Sequence, residues 1–398
     1  MIMRLVLFFI LVFLNSIVLA QSNQIYGLHF YGSSLQLASL DEANGAVQLL
    51  GPNPVSMDGF SQGVADFDPV NKRYFYPRIT NGSYYIYSVD AVTGLITAQV
   101  LVDNPNGAVA PITNIAFNWM DETMYGVSHE AGGGTATNLK FVSVDLDSGT
   151  VTQISPGTIS SDAYLSGNSD IDPIQRKYYY ATTNNIYSVD LDSGTVQSAA
   201  LVFPTTAASQ WFVNLTYNYL DQKIYGLHYL GIPDTNPWDT IIYTSELRLA
   251  TVNPTTGQVT IISQQPTSPD GFSMGDCDIN PQANVLYYIR TNRLYTIDLA
   301  TGNVVGDIPI QNPNGAVAPI INMVHDDLNE SLPLIDMPME DQFLPTSNTV
   351  LDINAWIGNN ATYLWNDGKK GSKRTISEPG LYRVTIRRDG LQFKANST

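Results

Sequence analysis

Six times along this chain an alternating apolar run ends in Asp or Asn, and a Gly follows four residues later: Asp41 and Gly45, Asp90 and Gly94, Asp145 and Gly149, Asp190 and Gly194, Asn253 and Gly257, Asp298 and Gly302. An Asx side chain can accept hydrogen bonds from backbone amides of a turn, and Gly supplies the positive φ that closes it. Each copy therefore predicts a hairpin between two strands. Since the Asx residue is needed by the turn itself, these six positions are excluded from any active site.

Two kinds of unit carry the hairpin. In one, Ala65-Asp66-Phe67-Asp68-Pro69 recurs as Ser169 to Pro173 and as Cys277 to Pro281, and each copy runs into a tyrosine-rich strand at Tyr74–Tyr76, Tyr178–Tyr180 or Leu286–Tyr288. In the other, Asn114 to Asn118 is echoed by Asn214 to Asn218, leading to Tyr125-Gly126 and Tyr225-Gly226. The two kinds alternate, three of each. A four-stranded unit of about 50 residues repeated radially predicts an all-β fold, a six-bladed β-propeller, which hides most strand edges by closing its ring. Closure is written in the sequence as well. Residues 104–112 recur unchanged as 312–320, and 321–326 then match 113–118. The first unit lacks an inner strand, so residues 321–326 are expected to complete blade one, giving a propeller over 21–327.

Outside the ring, residues 1–20 hold Arg4, the apolar run 5–14 and small residues before Gln21, the pattern of a secretory signal peptide. That run is too short for a membrane span, and no other stretch approaches 18 apolar residues, so no transmembrane segment is expected. Residues 328–350 read as a linker. The alternation in 351–398 predicts a small C-terminal β-sandwich with Trp365 buried. Charge is split between these parts: 34 acidic and 10 basic residues lie in 21–368, and 8 basic and 2 acidic in 369–398. An acidic body repels a phosphate backbone, which argues against nucleic acid as a partner. The basic 369–398 segment is a candidate for surface association with acidic glycans or lipids. Cys277 is the one cysteine, so no intramolecular disulfide is available. Its place, held by Ala65 and Ser169 in sister blades, suggests a small buried strand residue.

The stretch Tyr363-Leu364-Trp365 to Gly368, with Pro379 to Val384, resembles the immunoglobulin-like or PKD-like modules near the C-termini of secreted proteins of gliding Bacteroidetes. The sorting domain such proteins commonly carry does not follow Thr398, which leaves truncation of the module or the general secretory route as alternatives. The repeats resemble secreted six-bladed propellers of the TolB-like, YVTN and NHL-type group. That resemblance implies a fold, and the N-terminal signal segment implies a secreted, extracellular or cell-surface location. It leaves activity open, because propellers host binders, hydrolases and scaffolds alike.

Candidate site residues follow from where propellers meet ligands, at loops entering the inner strands. Asp58, Asp162 and Asp270 each lie eight residues before Asp66, Asp170 and Asp278, and Asn114, Asn214 and Asn322 recur near the starts of the alternate inner strands. Oxygen ligands converging on a channel suit a hard cation, so Asp66, Asp170 and Asp278 are the candidate metal ligands and Ca²⁺ the candidate cofactor. Trp211 and Trp238 are candidate aromatic platforms, Trp238 within an insert over 231–240. His29 and His228 share a repeat position but His129 is slipped by one residue, which reverses its face and argues against a symmetric zinc site. No Gly-x-Ser-x-Gly elbow, zinc-protease helix or phosphate loop is present.

The expected function is a secreted or cell-surface, non-catalytic binding protein for an extracellular glycan or protein. The alternative, implied by the propeller resemblance, is a Ca²⁺-dependent lactonase-like hydrolase with its site at the central channel. A catalytic site would show as a polar group without a symmetric partner, because catalysis breaks symmetry whereas turns repeat it; here the polar inner positions repeat, which favours the binding role.

Overall fold

The computed structural model describes residues 24–326 apart from 53, 56–64, 104–111, 129–137, 161–163, 183–184, 203–209, 234–242, 268–276, 291 and 316–317, and beyond them residues 335–338, 351–354, 361–365, 369–371, 373–376, 382–388 and 391–397. Six antiparallel four-stranded sheets follow one another along the chain. Their inner strands are Ala318–His325 for blade one, Asp66–Asp68 for blade two, Thr113–Asn118 for blade three, Tyr164–Asp172 for blade four, Gln210–Asn218 for blade five and Cys277–Asn280 for blade six. The ring closes as the sequence predicts. Ala318–His325 pairs with Ile25–Tyr31, with His325 opposite Ile25 and Val324 opposite Tyr26, so that blade one is built from both ends of the ring.

The hairpins form as expected. In blade two the Asp90 carboxylate accepts from Val92 and Thr93 amides at 3.0 and 2.6 Å, and the Gly94 amide donates to the Asp90 carbonyl at 2.8 Å. The same bonds recur at Asp145 and Asp190, and the six hairpin glycines have φ between 63° and 78°. What the sequence does not display is that five of them, Gly45, Gly94, Gly149, Gly194 and Gly302, also lie against the preceding blade. A Cβ on Gly149 would overlap the Leu101 carbonyl oxygen of blade two, and one on Gly94 would overlap the backbone of Leu50 and Gly51 in blade one.

A second turn repeats where the inner strands of blades two to six leave the channel. Asp68, Asn118, Asp172, Asn218 and Asn280 accept from amides two or three residues on, and the turn ends on a non-glycine residue with positive φ: Lys72, Glu122, Arg176, Gln222 and Asn284. Between blades lie aromatic contacts, such as Tyr179 against Tyr217 at 5.6 Å and Phe141 against Tyr178 at 5.0 Å. Burying such rings between sheets is the main source of cohesion in a ring whose blades share few backbone bonds.

Beyond the propeller, Ala361–Trp365, Tyr382–Arg388 and Leu391–Ser397 form an antiparallel sheet, and Leu351–Asn354 pairs with Lys373–Ile376. Trp365 is 1% exposed, with its indole N–H donating to the Gly371 carbonyl. Inside the stretch read as linker, Ile335–Pro338 pairs in parallel with Leu391–Ser397. Residues 1–20, read from the sequence as a signal peptide, lie outside the described residues, and among the described residues no helix is long and apolar enough to cross a membrane.

Candidate functional site

The channel is organised by three carboxylates. Asp66, Asp170 and Asp278 stand at equivalent places on the inner strands of blades two, four and six. One oxygen of each accepts the amide of the next residue, Phe67, Ile171 or Ile279, at 2.6 to 2.7 Å. The other oxygen crosses to the neighbouring blade. Asp66 accepts the Phe117 amide, Asp170 the Tyr217 amide at 2.5 Å and Asp278 the His325 amide at 2.6 Å. Each acid thus joins an even blade to the odd blade after it.

The even blades also hold the odd blade before them. The Tyr74 hydroxyl donates to the Asn322 carbonyl at 2.7 Å and the Tyr178 hydroxyl to the Asn114 carbonyl at 2.6 Å. Blade six has Leu286 where those tyrosines stand, and there the Cys277 thiol donates to the Asn214 carbonyl at 3.1 Å. Cys277 therefore fills a specific gap in the repeat. Asn114, Asn214 and Asn322, read from sequence as candidate ligand residues, are brought together as the bulge residues of the three odd inner strands. Their φ values are 49°, 56° and 51°, their side chains are buried, and the ladder register slips around Asn114 and Asn214. Asn tolerates the left-handed region better than other residues with a side chain, which accounts for the repeat.

Burial raises the proton affinity of all three acids. Asp66 is pushed well above the ordinary carboxyl value by desolvation and by the nearby Asp170 charge; desolvation takes Asp170 to about 7 and Asp278 to about 6, against the backbone amides that favour the charged form. They line one cavity of about 80 Å³. Its rim includes Pro69, Trp119, Pro173 and Tyr219, residues that follow the inner strands, so it lies toward the end where those strands leave the channel. The inner strands begin at the opposite end; Asp58, Asp162 and Asp270, which precede them in the chain, and Trp238 lie outside the described residues. Among the described residues no group of three or more His, Cys, Asp and Glu side chains is placed to hold a metal ion. Asp66, Asp170 and Asp278 surround the cavity instead of converging on one point.

Trp211 is half-buried and stacks on Tyr229 at 4.9 Å and 15°, packed against the core between blades five and six.

Two cavity residues break the threefold pattern. Thr216 stands where blades three and one have Ala116 and Val324, and its hydroxyl donates to Asp278 at 3.4 Å. His325 stands where the sister blades have Phe117 and Tyr217. It is 3% exposed, and its pKa is lowered to about 3 by burial and by the Lys72 charge. Asn280 Oδ1 accepts the Gln282 and Ala283 amides, so the Nδ2 it turns to His325 Nε2 at 3.3 Å is a donor. A neutral imidazole that accepts at Nε2 carries its proton on Nδ1, and this Nδ1 has no hydrogen-bond partner among the described residues. Alignment of the three odd units would have exposed both exceptions, but nothing in the sequence says that position 325 faces the acids.

No protein-family model and no curated protein matches this chain. Among solved structures it is similar to TolB from Acinetobacter baumannii, at 16% identity and a TM-score of 0.49 over 77% of this chain and 67% of that one. It is also similar to the periplasmic gluconolactonase PpgL of Pseudomonas aeruginosa, at 13% identity and a TM-score of 0.44 over 76% of this chain and 98% of that one. These likenesses assign neither an activity nor a ligand to the present chain, whose six-bladed ring is established by its own strand order.

Proposed function

We infer that this is an exported, non-catalytic binding protein that takes an extracellular glycan or protein on the loop face, where the inner strands are entered. The observation that supports this reading is the employment of the channel acids: each already accepts two backbone amides and ties two blades together. Groups so held act as scaffold, and a rigid scaffold leaves binding to its loops. Asp58, Asp162, Asp270, Trp211 and Trp238 are the residues assigned to that face, and the basic 369–398 segment is assigned to surface association. The test is binding of residues 21–398 to panels of glycans and extracellular proteins. A ligand lost in Trp238→Ala with an unchanged melting temperature supports the reading.

The second reading is a Ca²⁺-dependent lactonase, favoured by the symmetry breaking at Thr216 and His325 beside three acids. Hydrolysis of a lactone panel that disappears with EDTA and returns with Ca²⁺ would establish it and displace the binding role.

A further inference from the structure

The channel mouth at the strand exits is covered. The first residue past the inner strand is Pro69, Trp119, Pro173, Tyr219 and Pro281 in blades two to six, and all five are buried. A Trp and a Tyr in turns on the face of a propeller would meet solvent unless something lay over them, yet Trp119 is 7% and Tyr219 4% exposed. The apolar core identifies the cover. The core between blades two and three, with Phe75 and Phe117, and that between blades four and five, with Tyr179 and Tyr217, are separated around the ring by the core of Phe141 and Tyr178, which is a cluster of its own. The first two nevertheless form one cluster, which also holds Trp119, Met120 and Tyr219 from the exit turns and Tyr363 and Trp365 from beyond the propeller. Tyr363 and Trp365 are alternate residues of Ala361–Trp365, so they share one face of that strand.

Chain connectivity leads to the same end of the ring. The inner strand of blade one, Ala318–His325, runs toward the exits, and Ile335–Pro338 already belongs to the sheet that contains Ala361–Trp365. The stretch from Asp326 to Ile335 extends at most about 30 Å, which tethers that sheet close to the exit mouth. Charge acts in the same direction: the 8 basic and 2 acidic residues of 369–398 face a body with 34 acidic and 10 basic residues in 21–368, and opposite charges favour contact.

We propose that the C-terminal module is seated across the exit mouth of the propeller, with Tyr363 and Trp365 against Trp119, Met120 and Tyr219, and caps the channel at that end. The partner of the exit face is thus this chain's own module. Its seat leaves the loop face as the open end of the channel and is independent of the ligand taken there.

The test is lysine cross-linking of residues 21–398 with a short amine-reactive reagent, read by mass spectrometry on the monomer. Lys369 and Lys370 are exposed on the module. Lys72, Lys177 and Lys223 lie where the second strands of blades two, four and five begin, on the exit side, whereas Lys140 begins the third strand of blade three on the loop side, opposite Ser128. Lys369 and Lys370 are expected to link to at least two of the three exit lysines and not to Lys140. Trp119→Ser combined with Tyr219→Ser should lower the yield of those links at least tenfold, about the worth of burying one large apolar side chain. Links to Lys140, links to a single blade, links found only between molecules, or no link between module and ring would overturn the proposal, and links that persist undiminished in the substituted protein would overturn the aromatic seat. The unaltered protein decides whether the module caps the mouth even if the doubly substituted one does not fold.

Discussion

His325 shows how one side chain makes the acid stability of the whole ring measurable. Its folded pKa of about 3 lies below the ordinary 6.5, so its contribution to stability is full above pH 6.5 and is lost as pH falls toward 3. Phe is used at the equivalent position in blade three, so His325→Phe keeps the shape of the site. At pH 5 the loss from His325 amounts to about 2 kcal/mol. His325→Phe is therefore expected to gain about that much relative to its own behaviour at pH 7, read from denaturant midpoints at the two pH values. An unchanged difference between the two proteins at pH 5 and pH 7 would show that His325 is charged in the folded state. The three acids act in the opposite sense: their folded pKa values are raised, so their contribution is full below pH 3.8 and is lost as pH rises, through about 6 for Asp278 and about 7 for Asp170. They are common to both proteins and cancel in the comparison.

At the scale of the element, the hairpin glycines serve two purposes, and a paired substitution separates them. Gly82 and Gly149 have nearly the same φ, 76° and 78°, yet a Cβ on Gly82 meets nothing within 4 Å while one on Gly149 overlaps Leu101 of the preceding blade. Gly82→Ala should cost about 1–2 kcal/mol for the left-handed conformation alone. Gly149→Ala should cost a further 1–3 kcal/mol, about the penalty of overpacking a filled contact. Equal losses in urea denaturation would mean that the blades part there without resistance. The conformational role was legible, because Asp, three residues and Gly describe a turn by themselves. The contact role was not, since it depends on a blade about 50 residues away in the repeat. The turns ending at Lys72, Glu122, Arg176, Gln222 and Asn284 were illegible for another reason: five different residues occupy one backbone conformation.

At the scale of the whole molecule, the ring is held at its axis by alternating links, acid to amide on one side of each even blade and hydroxyl or thiol to carbonyl on the other. Deleting residues 312–326 removes the inner strand of blade one together with the Tyr74 bond to Asn322, the Asp278 bond to His325 and the Lys72–Asp326 ion pair. It also exposes the edge of Ile25–Tyr31, and an unpaired strand edge promotes association. Loss of the single cooperative melting transition and formation of oligomers on gel filtration are the expected results; a monomer melting as before would mean that closure contributes little. The sequence by itself determined the six-fold repeat, the hairpin turns and the closure of the ring by 321–326, because turn chemistry and strand alternation act over a few residues and an unchanged nine-residue copy marks which ends must meet. Tertiary structure alone decided that Asp66, Asp170 and Asp278 tie blades together, that Asn114, Asn214 and Asn322 are bulge residues, and that His325 joins the acids. Those roles arise from residues 45 to 248 positions apart brought to one axis, where burial and mutual charge, which have no counterpart in the linear chain, set their chemistry.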